Sequence, residues 1–269
     1  MTQTDDFGSF ADAPPPVPAA TLVIFRHDPA GGAAQLLMVE RSRSMKFAGG
    51  AAVFPGGRVD PADYELAARL NAGELNARMP EDEAAHRIAA IRETLEETGL
   101  ALGIDQPVSG EEAVAARALL LKCGTLAPVL EQLGWTLALE HLVPFARWRP
   151  AHRRARIFDT RFYLYDIGTG AVDITVDATE NHHMFWASAA EALALAEQKR
   201  IHIIFPTRRN LERLAQFATF AECRAHAEAV PVRIITPRVT DRGGVPWLTI
   251  PADAGYPKDG ELFETATRG

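Results

Sequence analysis

The stretch AAIRETLEETGL, residues 89–100, decides the fold of this chain, because alanine, leucine, arginine and glutamate make up most of it. These residues have high helix propensity. Gly99 stands where a helix commonly ends in the left-handed conformation. The stretch is therefore predicted to be the C-terminal part of a long helix that begins after Pro80.

Three carboxylates lie on one face of this predicted helix. Glu93 is three residues before Glu96 and four before Glu97, so the side chains are neighbours and repel one another. A divalent cation would relieve the repulsion, and oxygen ligands suit Mg²⁺ or Mn²⁺, which complete their coordination with water and substrate phosphates. The spacing indicates a metal-binding helix, with a merely solvated acidic face as the simpler alternative.

Two motifs of this chain resemble the two halves of the Nudix box. The pattern Arg92-Glu93-x-x-Glu96-Glu97-x-Gly99 followed by Leu100 resembles its second half, and five such identities recur by chance about one time in a thousand in a chain of this size. The sequence FPGG, residues 54–57, is similar to the start of the box, where glycines let the backbone turn sharply beneath a metal site.

The spacing between these halves departs from the compact family pattern. In that pattern the arginine follows the second glycine by about fourteen residues, whereas Arg92 follows Gly57 by thirty-five. An insertion of about twenty-one residues is therefore expected over 58–80, as a helix and a loop at the periphery of the domain. Ala84 stands eight residues before Arg92, where the compact box has another glutamate, so a fourth box carboxylate is not expected.

A second constellation precedes the glycines and resembles the signature of coenzyme A diphosphatases within the superfamily. It comprises LMVERS at residues 37–42, then Lys46 and Gly50. Two identities differ from that signature, a valine for a threonine and Lys46 for an arginine, so charge is kept while bidentate phosphate recognition is not. The resemblance implies that Arg41, Lys46, Gly56 and Gly57 bind the substrate. The alternative interpretation of Arg41 and Lys46 is that they are ordinary surface charges.

Downstream residues and the long insertion are similar to an acyl-coenzyme A diphosphatase branch of that group. The matching positions are RIFDTRFY at 156–163, Glu180, Trp186 and EAL at 191–193. Glu180 is implied as a metal ligand or general base, with an exposed turn acid as the alternative. A cluster of arginines could meet the extra phosphates of coenzyme A or belong to a solvated loop: Arg147, Arg149, Arg153, Arg154 and Arg156.

The order of elements implies an α/β fold, a Nudix-type mixed β-sheet sandwiched between helices. Residues 1–20, which include PPPVP, are predicted to be a disordered or extended arm. Residues 21–220 are predicted to be the Nudix hydrolase domain and to end in an amphipathic helix over 208–220. Residues 221–269 are predicted to be a C-terminal extension of short β segments, with a hairpin around DRGG at 241–244.

Composition limits the partners of the 269-residue chain. A net charge of −7 argues against general affinity for nucleic acid. No apolar run approaches the length of a membrane span, and the N-terminus lacks the pattern of a secretory signal. Two cysteines are too few for a disulfide framework. A cytoplasmic protein is expected, and its oligomeric state stays open, a homodimer being one option.

The family resemblance implies a Mg²⁺- or Mn²⁺-dependent pyrophosphohydrolase that cleaves the diphosphate of coenzyme A or acyl-coenzyme A. Glu93, Glu96 and Glu97 are the implied metal ligands, Arg92 would fix the rotamer of a carboxylate, and Glu93, Glu97, Arg92 and Glu180 form the implied catalytic set. One alternative is a Nudix hydrolase of ADP-ribose, dinucleotides or nucleotide sugars. The other is a non-catalytic nucleotide-binding Nudix module, against which the clustered carboxylates argue.

Overall fold

The computed structural model describes residues 15–41, 50–71, 79–150, 157–168 and 181–267. The strands in these ranges are β1 (Val17–Arg26), β2 (Gln35–Arg41), β3 (Ala52–Val53), β4 (Gly56–Arg58), β5 (Val143–Trp148), β6 (Phe158–Asp166), β7 (Asn181–Ser188), β8 (Ile234–Ile235), β9 (Arg238–Asp241), β10 (Pro246–Thr249) and β11 (Gly260–Leu262). The helices are α1 (Pro61–Asn71), α2 (Glu81–Thr98), α3 (Gly110–Cys123), α4 (Ala127–Leu133), α5 (Ala189–Glu197), α6 (Phe205–Leu214), α7 (Phe220–Ala229) and α8 (Phe263–Thr267).

Eight strands form one mixed sheet in the order β3-β2-β1-β6-β5-β8, with β4 paired on β1 and β7 paired on β2. The hairpin expected between β1 and β2 is present, with Phe25 opposite Leu36. Beyond this short ladder β1 continues beside β4, where Ala20 is opposite Gly57. The glycine turn is therefore attached directly to a central strand of the sheet.

The sheet lies between two hydrophobic cores, as the alternation of side chains along a strand requires. Leu22 and Ile24 of β1 belong to a core that includes Ile88 of α2, here called the α2-side core. Val23 of β1 belongs to a core that includes Leu211 of α6, here called the α6-side core. Helices thus cover both faces, and the predicted α/β class is confirmed.

Helix α2 follows the sequence prediction closely. It ends at Gly99, whose φ is 77° and whose amide donates to the Leu95 carbonyl at 3.0 Å. Three acidic residues occupy its first turn, where the positive end of the helix dipole stabilises them. None of the helices in the described ranges combines the length and the apolar character needed to cross a bilayer.

The expectation of a peripheral insertion holds only in part for α1. Leu66 and Ala67 are buried in the α2-side core, and Asp63 is only 1% exposed. Glu65 and Arg69 face solvent, so α1 is a surface helix with one buried face. The reason is that this face of α1 packs directly against α2. Residues 72–78 lie outside the described residues.

Two predicted boundaries differ from the structure. Strand β1 begins at Val17 rather than after residue 20, because its first residues pair with β6. The helix predicted over 208–220 is replaced by α6 and α7, and α7 begins with a capping box between Thr219 and Glu222. Helix therefore continues where β segments were expected.

The segment after α7 packs on the rest of the chain. Strands β9 and β10 pair antiparallel around residues 241–244, with Asp241 opposite Pro246. Tyr256 lies in the α6-side core and accepts a hydrogen bond from Trp148 Nε1 at 3.0 Å. The division of the chain into an arm, a domain and an extension stays a prediction.

Candidate active site

The two halves of the interrupted motif meet where β4 passes α2. The Gly56 amide donates to Glu97 Oε2 at 3.0 Å. A side chain at Gly57 would place its Cβ 2.4 Å from Glu93 Cδ, and one at Gly56, whose φ is 152°, would lie 2.3 Å from the Ala20 carbonyl oxygen. Only glycine allows the turn to approach both the carboxylates and β1 this closely.

Arg92 holds this junction together from within the protein, where it is 3% exposed. Its Nε and Nη2 donate to the two carboxylate oxygens of Asp63 at 3.0 and 2.9 Å. Its Nη1 donates to Glu93 Oε1 at 2.9 Å, and Nη2 also reaches the Arg58 carbonyl at 3.0 Å. Burial lowers the pKa of Arg92, but Asp63 and Glu93 outweigh that effect and raise it overall. The guanidinium is charged, and it fixes the position of the Glu93 side chain.

Asp63 is the site residue that the sequence reasoning missed. It follows Gly57 by six residues, which is the interval between the glycine and the additional glutamate in the compact box. Counting back from Arg92 led instead to Ala84, which is buried on α2. Asp63 lies on α1, so the extra residues interrupt the box after Asp63 and not directly after Gly57.

Glu93 is in an unfavourable place for an unneutralised negative charge. Burial raises its pKa to about 7, Glu96 adds to the increase, and Arg92 opposes it. Glu97 is 5% exposed, and Glu96 is partly exposed with an oxygen 3.8 Å from Arg92 Nη1. The donors are therefore carboxylate oxygens whose charges would be stabilised by a further cation.

The donor set fits a cation that keeps water and substrate ligands. Within the described ranges no three His, Cys, Asp or Glu side chains converge closely enough to hold a metal ion by themselves. Glu93, Glu96 and Glu97 share a helix face as expected, but Glu93 and Glu97 are also engaged by Arg92 and Gly56. Mg²⁺ is commonly held by only one or two carboxylates together with water and phosphate oxygens. The residues therefore fit such an ion.

The other predicted substrate-binding residues are only partly described. Arg41 ends β2, its amide donates to the Ala51 carbonyl at 3.0 Å, and its buried Nε has no hydrogen-bond partner within the described chain. Lys46 and Glu180 lie outside the described residues. So do Arg153, Arg154 and Arg156.

The two described members of the predicted arginine cluster are already paired. Arg147 Nε donates to Asp159 Oδ1 at 2.7 Å, and Arg149 Nη1 lies 3.8 Å from Asp159 Oδ2. The single carboxylate of Asp159 therefore balances about one of their two positive charges.

Comparison with known proteins agrees with this geometry. No family model matches the chain. The acyl-coenzyme A diphosphatase NUDT19 of Gallus gallus is 26% identical over 278 residues, covering 84% of this chain and 73% of the relative. The crystal structure of a Nudix hydrolase from Alicyclobacillus acidocaldarius matches with a TM-score of 0.67 and 26% identity, covering 80% of this chain and 97% of that one. The chain belongs to the Nudix hydrolase superfamily.

The superfamily assignment confirms the predicted Nudix-type fold and the resemblance to the acyl-coenzyme A diphosphatase group. This Nudix hydrolase is an enzyme, a pyrophosphohydrolase that acts on phosphorus-containing acid anhydrides. The alternative of a non-catalytic nucleotide-binding module is therefore set aside. The glycine turn, the carboxylates of α2 and Arg92 supply the arrangement in which that chemistry can take place.

Proposed function

We propose that this Nudix hydrolase cleaves the diphosphate of coenzyme A or acyl-coenzyme A with Mg²⁺ or Mn²⁺ as cofactor. The observation that carries the hydrolytic part is the junction of Gly56 and Gly57 with Glu93 and Glu97. The similarity to an acyl-coenzyme A diphosphatase supports the substrate. A cytoplasmic location and a homodimeric state stay predictions.

The box residues have distinct proposed roles. Glu93 and Glu97 are the central metal ligands, and Glu96 completes the set. Arg92 orients Glu93 through the hydrogen bond between Nη1 and Oε1. The bound cation would neutralise the anionic diphosphate and lower the pKa of the attacking water. Glu180 is proposed as an additional carboxylate that serves as a ligand or as the general base.

Arg41 is proposed to contact the 3′-phosphate of coenzyme A, together with Lys46. Its buried Nε lacks a partner within the described residues, and an unmade hydrogen bond of this kind costs about 1–3 kcal/mol. A phosphate oxygen that accepts this bond would recover the cost and add charge attraction. The amide of Arg41 is bonded to Ala51, which lies just before β3, so the residue is close in sequence and space to the strand that leads into the glycine turn.

A comparison of substrates tests the proposal. Purified protein with Mg²⁺ or Mn²⁺ is assayed on coenzyme A, dephospho-coenzyme A, ADP-ribose, NADH and diadenosine polyphosphates, with products separated by chromatography. Coenzyme A is expected to have the highest kcat/KM. Faster hydrolysis of ADP-ribose would reject the substrate and favour the alternative of nucleotide-sugar or dinucleotide hydrolysis.

Substitution of Arg41 separates phosphate recognition from the diphosphate chemistry. Arg41→Ala is expected to lower kcat/KM for coenzyme A about 10–100-fold, which corresponds to one charge-assisted hydrogen bond. Dephospho-coenzyme A lacks the 3′-phosphate and should be affected far less. Arg224→Ala is a matched control, because Arg224 is exposed on α7 and pairs with Glu228. Equal losses on both substrates would show that Arg41 serves the diphosphate or the fold instead.

A further inference from the structure

A cleft of about 470 Å³ has none of the α2 carboxylates in its lining. Its walls come from the α5 to α6 connection, the first turn of α6, the end of β2 and the C-terminal helix α8. Ile203 and Phe205 line it and belong to the α6-side core. Four of its lining residues are basic and define what we call the basic cleft: Lys199, Arg200, His202 and Arg208.

The charges of the basic cleft are not balanced internally. Lys199 and Arg200 are exposed and have no side-chain partner among the described residues. Glu261, one of two carboxylates in the lining, is held by the buried Arg209 at 3.0 Å and lies 3.9 Å from Arg208. Glu40 is the other carboxylate. The lining therefore carries three cations, Lys199, Arg200 and Arg208, against these two carboxylates, so positive charge exceeds negative charge in the cleft.

Lys199 occupies a backbone conformation that favours glycine. Its φ is 58°, and no other non-glycine residue in the described part of the chain has a positive φ. The amides of Lys199 and Arg200 donate to the Ala196 and Leu195 carbonyls at 3.0 and 2.9 Å, which ends α5. A left-handed conformation is unfavourable for an L-residue, and α2, α3 and α4 each end on glycine. A lysine here places a cation at the cleft in spite of that cost.

The start of α6 adds to the same positive potential. Ile204 stands at its N-cap and supplies no side-chain hydrogen bond, and Phe205 and Arg208 of the first turn line the cleft. The N-terminal end of a helix carries a partial positive charge that favours anions. Side-chain cations and the helix end therefore act in one place.

We infer that the basic cleft is a second anion site, which binds the phosphate monoester group of a phosphorylated small molecule separately from the diphosphate site on α2. A volume of about 470 Å³ is within the range of small-molecule sites. Lys199, Arg200 and Arg208 would donate charge-assisted hydrogen bonds to the phosphate oxygens. Ile203, Phe205 and Ala266 offer apolar contact to the organic part of the ligand.

Calorimetric titration of the metal-free protein with inorganic phosphate at constant ionic strength tests this inference. The unaltered protein is expected to bind with a dissociation constant on the order of 1 mM. The double variant Lys199→Gly, Arg200→Gln should bind about tenfold more weakly or worse, because two charge-assisted contacts are lost. Lys199→Gly relieves the backbone conformation, so this variant should fold, which its thermal unfolding verifies.

Two controls make the test specific and independent of the proposed substrate. Lys122→Gln, Arg224→Gln removes the same charge from exposed positions on α3 and α7 and should leave phosphate binding unchanged. Glu97→Gln alters the diphosphate site and should also bind phosphate normally. Absence of saturable binding, equal affinity in the cleft variant and the unaltered protein, or loss in Glu97→Gln would overturn the inference. Turnover is not measured, so failure of the substrate proposal would not affect the result.

Discussion

Asp63 offers the most informative perturbation, because it connects α1 to the buried Arg92 of α2. Asp63→Ala removes both carboxylate oxygens that accept from the Arg92 guanidinium at 3.0 and 2.9 Å. It also removes the acceptor of the Asp60 amide at 2.9 Å. Arg92 would remain buried with Glu93 and the Arg58 carbonyl as its main partners.

The expected loss can be estimated from these contacts. Removing one partner of a buried ion pair costs about 3–5 kcal/mol. Glu93 still neutralises Arg92, so the low end applies, about 3 kcal/mol of unfolding free energy. In a chain of this length each kcal/mol lowers Tm by about 2–4 °C, which gives a decrease of about 6–12 °C. The kcat should also fall, because Arg92 holds Glu93 in place.

Differential scanning calorimetry of the metal-free protein measures the effect on Tm. Arg69→Ala is the matched control on the same helix, because Arg69 pairs with Glu131 at 3.2 Å on the exposed surface. Such a pair contributes at most about 1 kcal/mol. In the double variant Asp63→Ala, Arg92→Ala the two losses should not add, because both substitutions remove the same pair of hydrogen bonds. A Tm for Asp63→Ala within about 2 °C of the unaltered protein, or a loss equal to that of Arg69→Ala, would refute the reasoning.

Three other predictions concern the junction of the turn and α2. Glu97→Gln keeps an oxygen that can accept from the Gly56 amide, so Tm should change little. The kcat at saturating Mg²⁺ should fall at least about tenfold, because the metal loses a charged ligand. Near-normal turnover would contradict the ligand role. The raised pKa of Glu93, about 7 against an ordinary 4.5, means that the folded state binds this proton more tightly than the unfolded state. The stability that this proton contributes is complete below about pH 4.5 and is lost as pH rises through 7. The Tm of the metal-free protein should therefore fall from pH 5 to 8. A fall of the same size in Glu93→Gln would exclude Glu93 as the cause. Gly57→Ala would place a Cβ 2.4 Å from Glu93 Cδ and should lower kcat on the order of a hundredfold, whereas Gly110→Ala, with open space around its Cβ, should leave kcat unchanged.

Local signals in the sequence account for the parts of the fold that were predicted correctly. Helix α2 combines high helix propensity with a glycine at its end, and both features act within one turn of the chain. The hairpin of β1 and β2 follows from two apolar runs separated by turn residues. These elements need no knowledge of distant contacts.

The features that were missed depend on packing between distant segments. Helix α7 is a partial exception, because its capping box between Thr219 and Glu222 is a local signal, whereas the burial of Cys223 and Ala227 depends on tertiary packing. Asp63 could be identified only through the interval from Gly57, because its partner Arg92 is brought near by the packing of α1 on α2. The basic cleft likewise combines the α5 to α6 connection with residues of β2 and α8. Apart from the interval between Gly57 and Asp63 and the capping box of α7, no local pattern in the sequence indicates these contacts.

The parallel pairing of β1 with β6 has a consequence for how the protein is made. Val17 is opposite Phe158 and Phe25 is opposite Asp166, so the partners are about 140 residues apart in the chain. At a synthesis rate of about 5–20 residues per second, β1 leaves the ribosome roughly 7–28 s before its parallel partner. During that time one edge of an apolar strand has no β6 to pair with, and such edges promote association between chains. Nascent chains and truncated fragments that end before β6 should therefore be the forms of this protein most dependent on chaperones.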